Sequence, residues 1–233
     1  MPRSVPESRL KDLLACATRV FIANGYRRSQ MSDVAQAAGL AKGTVYLYVE
    51  SKEALFAAAL RYADGSPPAS SELDLPIPTP APGELAGEVL SRLSAEAVPD
   101  RLARALERKR VTDVCGELDG IVRELFALSS RHRTALKLLD RCASDHPDLR
   151  AAIYDRGRFA QLAELARYLD SRIARGRLRP VPDLALAARF IIEVIATWAV
   201  HIHWDPAPQP VDPELAEETV AQLVVDAFVE KRP

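Results

Sequence analysis

Apolar positions recur at helical spacing along almost the whole chain. Between Glu7 and Ala23 they fall at Leu10, Leu13, Leu14, Ala17, Val20 and Phe21, one face of a first helix that Asn24-Gly25 closes. A second, shorter stripe of Val34, Ala35 and Ala38 breaks at Gly39-Leu40, and another short helix begins near Ala41 or Lys42. Ser51 then stands as an N-cap, with Lys52 and Glu53 in the first turn of a fourth helix that reaches about Tyr62. Two short helices split by a tight Gly turn make a helix-turn-helix. The leading turn of its second helix, with Lys42, Gly43 and Thr44, offers a cation, a bare backbone and a hydroxyl, groups that suit phosphates and base edges.

The helical period stops between Asp64 and Gly83, where six prolines fix φ and remove backbone donors. Pro76, Pro78 and Pro80 alternate without a PxxP frame, so this stretch reads as a plain extended spacer more readily than as a partner motif. From Glu84 the pattern is helical again, in segments near Leu85–Ala97, Arg101–Lys109, Thr112–Ser130, Arg133–Ala143, Leu149–Arg175, Asp183–His203 and Glu214–Glu230. No β-branched alternation appears, and the expected fold is all-α. The expected domains are a three-helix head over residues 1–62, a Pro-rich connector over 63–83 and a helical body over 84–233.

The run from Phe21, Gly25 and Tyr26 through Val34, Ala35, Ala38 and Gly39 to Lys42–Thr44, Tyr46, Tyr48, Ser51, Lys52, Glu53 and Leu55 resembles the DNA-binding segment of TetR-type transcriptional repressors. Three positions depart from that pattern: Gln30, where Thr or Ser commonly begins the second helix, Ala41, where Ser is frequent, and Val49, where Phe is usual. The resemblance implies a homodimeric, ligand-responsive regulator that binds a palindromic double-stranded DNA operator and is released by a small-molecule effector. It also implies that Tyr46 and Lys52 grip phosphates while Leu47 and Tyr48 flank base edges, with Gln30 and Ser32 completing the DNA-facing set. A different packing would turn Tyr46 inward against Phe21 and Val34.

Within the body, Asp183–His203 is apolar almost all round and the last helix carries a broad stripe of its own. Pairing of the two with their symmetry mates would place Phe190, Val194, Ile195, Val220, Leu223, Val224 and Phe228 in a four-helix dimer interface. The other arrangement uses these helices to fill one subunit's core. Arg189, Glu193, Thr197 and His201 recur every four residues. Either Arg189 and Glu193 pair at the interface rim, or Thr197, Trp198 and His201 face a ligand cavity. Gly116 and Gly120, inside a helical segment, signal close packing or room for a ligand beside Cys115, Asp119 and Phe126.

Charge sharpens this division. Through Tyr62, nine Lys and Arg face five Asp and Glu, a net of +4 that leaves −5 for the remainder of a chain whose total is −1. A basic head on an acidic body suits a site-specific DNA binder, since the field steers one end only. Cys16, Cys115 and Cys142 form no CxxC pair, which fits a reducing cytoplasm, and the longest apolar run is interrupted by Arg189, Glu193 and His201, so no membrane span is expected. Cys142 and His146 stand four apart, but two ligands are too few for a closed metal site. No GxSxG, phosphate loop or HExxH is present, and neither catalysis, cofactor nor metal is expected. The rival class is a helical ligand-binding or catalytic protein whose helix-turn-helix serves packing alone.

Overall fold

The computed structural model describes residues 7–65, 67, 73–96, 98–153, 158–207 and 210–229. Among them the helical periods become twelve α-helices and no strand: α1 (Glu7–Asn24), α2 (Met31–Ala37), α3 (Lys42–Val45), α4 (Lys52–Arg61), α5 (Glu84–Ala95), α6 (Asp100–Glu107), α7 (Val114–Arg131), α8 (Arg133–Cys142), α9 (Pro147–Arg150), α10 (Arg158–Ile173), α11 (Leu184–Ala199) and α12 (Pro213–Phe228). Of the helix expected over Leu149–Arg175, α9 ends at Arg150, a π turn occupies 151–153, residues 154–157 lie outside the described residues, and α10 covers Arg158–Ile173. The helix expected to reach His203 ends at Ala199, because Val200 leaves helical dihedrals (φ −120°, ψ −65°) and His201–Trp204 form a 3-10 turn. The polar line at four-residue spacing therefore ends at Thr197. Ala97 and Glu230, the expected ends of two helices, lie outside the described residues.

The chain divides into two compact units, one of Met1–Val89 with Thr134–Ala151 and the other of Leu90–Arg133 with Ala152–Pro233. In the first unit α1 packs on α2 and α4 around Leu10, Leu13, Ala17, Phe21, Val34, Val45, Leu55 and Phe56. Phe21, Tyr26 and Phe56 meet with ring centroids 5.2–5.9 Å apart, and the His146 imidazole closes the cluster, stacked on Phe56 at 5.0 Å and tilted against Tyr26 at 4.0 Å. That histidine arrives on the segment of α8 and α9. Along the same segment Arg141 Nε donates to the Ile22 carbonyl at 3.0 Å, and the Asp145 carboxylate accepts from the Arg27 N–H at 2.8 Å. The Ile22 carbonyl, in the last turn of α1, is satisfied in this way.

The reading of the Pro-rich stretch as a plain spacer fails at its far end. Ile77 is buried, its N–H donates to the Tyr48 carbonyl at 2.8 Å, and its carbonyl accepts from the Glu50 N–H at 3.0 Å. The Thr79 N–H donates to Glu50 Oε2 at 2.9 Å, and the Thr79 and Ser51 hydroxyls share a hydrogen bond of 2.8 Å. A spacer read only from its prolines misses this, because the backbone groups of Ile77 and Thr79 remain free to pair between them.

In the second unit α7 packs against α12, α11 and α6, and α10 packs against α11 and α6. Its core includes Leu102, Leu118, Ile121, Leu125, Leu165, Leu169, Ile191 and Ile195. Arg172 is fully buried there. It donates through Nε to Glu117 Oε1 at 2.7 Å and through Nη2 to the Ala105 carbonyl at 2.5 Å, while Arg108 approaches the other Glu117 oxygen at 3.7 Å. A buried charge needs this density of partners. Burial, with Glu117 beside it, drives the Tyr168 hydroxyl well above its ordinary pKa. Gly120 is explained by close approach: a Cβ there would lie 2.6 Å from an Arg101 guanidinium nitrogen. At Gly116 the corresponding space holds the carboxylate of Asp113, which caps α7 by accepting from the Gly116 N–H at 2.9 Å.

Candidate DNA-reading surface

The helix-turn-helix is built from the bend upward. Gly39 adopts φ +64°, a conformation that side-chain-bearing residues rarely take, and the Leu40 N–H reaches back to the Ala35 carbonyl at 2.8 Å to close α2. At the other end of α2 the Asp33 carboxylate accepts from the Gln30 N–H at 2.9 Å, half of a capping box despite the absence of Thr or Ser at Gln30. Ala41 contributes no side-chain cap to α3.

Around α3 the residues sort cleanly into two faces. Val45, Tyr48 and Val49 are buried, at spacing i, i+3 and i+4, and they bolt the helix to the core of the head. Lys42, Gly43, Tyr46 and Leu47 face outward with Gln30 and Ser32, and Thr44 is half-buried at the edge. No atom lies within 4 Å of the position a Gly43 Cβ would take. Tyr48, expected to flank base edges, is 3% exposed and must be withdrawn from the DNA-facing set. Tyr46, for which an inward packing was the alternative, is 41% exposed.

Lys52 is more tightly held than a phosphate clamp requires. Its ammonium donates to the carbonyls of Tyr26 and Ser29, each at 3.2 Å, and lies 4.3 Å above the Tyr26 ring. It tethers the start of α4 to the turn after α1. Beside it, burial of Glu53 works against its charge but is outweighed by its own backbone N–H, the hydroxyls of Tyr26 and Ser51 and the Lys52 cation, so its carboxyl titrates below the usual range. Burial and the neighbouring Glu53 push the Tyr26 hydroxyl far above its ordinary pKa. The pair Cys142 and His146 is likewise structural. The thiol is aimed at the Phe21 carbonyl at 3.6 Å and is pushed up to about 12 by burial and by Asp145, while the imidazole is pushed down by burial. Among the described residues no cluster of three or more His, Cys, Asp or Glu could hold a metal ion.

The ligand-facing set expected in the body is not brought together. Cys115 is exposed on the first turn of α7, Asp119 pairs with Arg123 at 2.8 Å, and Phe126 is in the core. Thr197 donates to the Glu193 carbonyl, and Trp198 lines a groove of about 270 Å³ with residues of α12. Arg189 does pair with Glu193, at 3.2 Å on the exposed surface. Of the residues expected at a dimer interface, Ile195, Val220, Val224 and Phe228 are no more than 4% exposed within one chain and belong to its own core. Phe190 and Leu223 are 56% and 62% exposed, and Val194 is half-buried between the two sets. No helical period announces the contacts of Ile77, Arg141 and Asp145 with the head, since their partners are distant in sequence. The inward position of Tyr48 could have been found from the apolar spacing of Val45, Tyr48 and Val49.

An all-helical chain whose basic N-terminal helix-turn-helix presents Lys42, Gly43, Tyr46 and Leu47 outward has the architecture of a DNA-binding regulator. Residues 13–59 match the family of bacterial regulatory proteins, tetR family, and residues 118–230 match the AefR-like transcriptional repressor C-terminal domain. The chain belongs to the TetR family of transcriptional regulators. It is 46% identical over 41 residues to the fatty acid metabolism regulator protein of Bacillus subtilis (strain 168), a match that spans 18% of this chain and about a fifth (21%) of that relative's length. The fold is shared with the ketosteroid transcriptional regulator of Mycobacterium tuberculosis, at 19% identity over 98% of each chain with a TM-score of 0.59. It is shared too with a TetR-family regulator of Streptomyces coelicolor A3, at 23% identity over 94% of this chain and 91% of that one with a TM-score of 0.55. Among the described residues no helix is long and apolar enough to cross a membrane.

Proposed function

We propose that the protein is a homodimeric repressor, acting in the cytoplasm, that holds a palindromic operator through two copies of α3 and releases it when a small molecule binds. The observation that carries this reading is the split of α3 and the turn that follows it into a buried Val45-Tyr48-Val49 face and an outward face of Lys42, Gly43, Tyr46 and Leu47. A motif that served packing alone would have no reason to leave Tyr46 and Leu47 in water while burying their neighbours. Residues 1–62 would read DNA, residues 84–233 would bind the effector and the second subunit, and residues 63–83 would join them. Lys42, and the third N–H of Lys52, would meet phosphates. Gly43 would let the DNA backbone approach, and Thr44, Tyr46, Leu47, Gln30 and Ser32 would set register and base contacts.

The test is to capture genomic DNA fragments on the purified protein, sequence them, and titrate the recovered operator by fluorescence anisotropy at several salt concentrations. One dominant inverted repeat is expected. Lys42→Ala should lower the slope of log affinity against log salt by roughly one unit per half-site. Capture of fragments with no shared repeat, or an unchanged slope, would sink the assignment of α3 as the reading element.

A further inference from the structure

The first unit contains a cavity of about 190 Å³ between α4, residues 80–83 of the Pro-rich stretch, the first turn of α5, and α9 with the residue before it. Its wall is apolar where Phe56, Leu85 and Leu149 meet, and the flat ring of His146 continues that wall, stacked on Phe56. Two carboxylates also line it, Glu53 from the start of α4 and Asp148 from α9. Among the described residues no Lys or Arg forms an ion pair with either of them. Lys52 acts on Glu53 through its charge but donates its hydrogen bonds to two backbone carbonyls, and Arg61 pairs with Glu88 at 2.7 Å. His146 Nε2 is buried without a hydrogen-bond partner, and burial lowers the pKa of the imidazole. An apolar hollow the size of one ring with two carboxylates in its lining defines a ligand that is hydrocarbon on one side and cationic on the other.

We propose that this cavity binds a small primary amine carrying one ring or a hydrocarbon group of that size, with its ammonium between Glu53 and Asp148 and its apolar part against Phe56, Leu85 and the His146 ring. An amine seated there ties α4 and α9 to residues 80–83. A few residues earlier the same strand of chain is hydrogen-bonded, through Ile77 and Thr79, to Tyr48, Glu50 and Ser51, directly after α3. Occupancy therefore stiffens the support of the reading helix and changes operator affinity. This last consequence rests on the DNA-binding reading, whereas amine binding does not.

The experiment is isothermal titration of the full chain with benzylamine, benzyl alcohol and phenylacetate, repeated on Asp148→Asn, Glu53→Gln and, as a control, Glu218→Gln on exposed α12. Saturable binding of one benzylamine per chain is expected. The alcohol and the acid should bind at least about tenfold more weakly, Asp148→Asn should lose about tenfold, and the control should match the parent protein. Asp148 is exposed, so Asp148→Asn should fold normally even if Glu53→Gln, which weakens the contacts with the Tyr26 and Ser51 hydroxyls, does not. Equal binding of alcohol and amine, an unchanged affinity in Asp148→Asn, or no saturable binding at millimolar concentration overturns the site. Operator titrations with and without benzylamine then read the coupling: a changed affinity supports it, and an unchanged one overturns it while leaving the site intact. Loss of operator binding with no amine present would indict the DNA-binding reading instead.

Discussion

At the scale of single residues, two tyrosines two positions apart have opposite environments. Tyr46 stands 41% in solvent and Tyr48 is sealed in the core of the head, as the pattern Val45-Tyr48-Val49 allows and as family resemblance alone does not reveal. Tyr48→Ala should lower stability by about 3 kcal/mol in urea unfolding, since it empties a packed aromatic site. Tyr46→Ala should stay within about 0.5 kcal/mol yet weaken operator binding. Equal stability losses in the two variants would contradict the assigned faces. His146 supplies a second residue-scale expectation. Burial lowers its pKa in the fold, and Asp145, Glu53 and Asp148, which pull the other way, do not overcome this; Lys52 adds to the lowering. At pH 7 the neutral imidazole predominates in both the folded and the unfolded chain. As pH falls below about 6.5, the ordinary histidine value, the unfolded chain takes up the proton first, so stability declines until the folded imidazole also titrates. His203 is shifted the same way by burial and Arg133, so the His146 share must be read as a difference. Between pH 7 and 5 the parent protein should lose more unfolding free energy than His146→Leu, and parallel losses would place the pH sensitivity elsewhere.

At the scale of elements, the legible features were those governed by local chemistry. Asp183 and Asp212 cap α11 and α12 by accepting from backbone N–H groups at 2.8 and 2.9 Å, and Ser51 caps α4 at 3.0 Å; each is visible as a polar residue before an apolar period. The Pro-rich stretch was not legible, because its role lies in backbone groups that pair with Tyr48 and Glu50 far earlier in the chain. Composition gives no sign of them. The same holds for α8 and α9, whose helical pattern is plain but whose hold on the end of α1 depends on Arg141 and Asp145 meeting main-chain groups more than a hundred residues away. If residues 77–79 brace the reading helix, Ile77→Ala should destabilise the protein by on the order of 2 kcal/mol and weaken operator binding, with far-UV circular dichroism almost unchanged. An Ile77→Ala protein with parental stability and affinity would return this stretch to the status of a spacer.

At the scale of the whole molecule, α11 explains why an apolar helix was easy to find and its faces were not. Ala188, Ile191, Ile195 and Ala199 turn inward, at 1% exposure or less, while Leu186, Phe190 and Trp198 on the same helix are 68%, 56% and 39% exposed. A sequence apolar on both sides cannot say which side meets its own subunit. On α12 the same division separates buried Val220, Val224 and Phe228 from Leu215 and Leu223, which are 61% and 62% exposed. Phe190, Trp198, Leu215 and Leu223 line a common groove, and so many large apolar side chains on one surface call for a partner. The second subunit of the proposed homodimer would occupy this groove. Light scattering at micromolar concentration should therefore give about twice the 25.6 kDa of one chain. Phe190→Asp or Leu223→Asp should yield a folded monomer, because the charge returns to water once the subunits part. Ile195→Asp or Phe228→Asp should instead lose helicity, since those positions are buried in the subunit itself. A parent protein that scatters as a monomer, or a Leu223→Asp variant that stays dimeric with unchanged affinity, would move the interface away from α11 and α12.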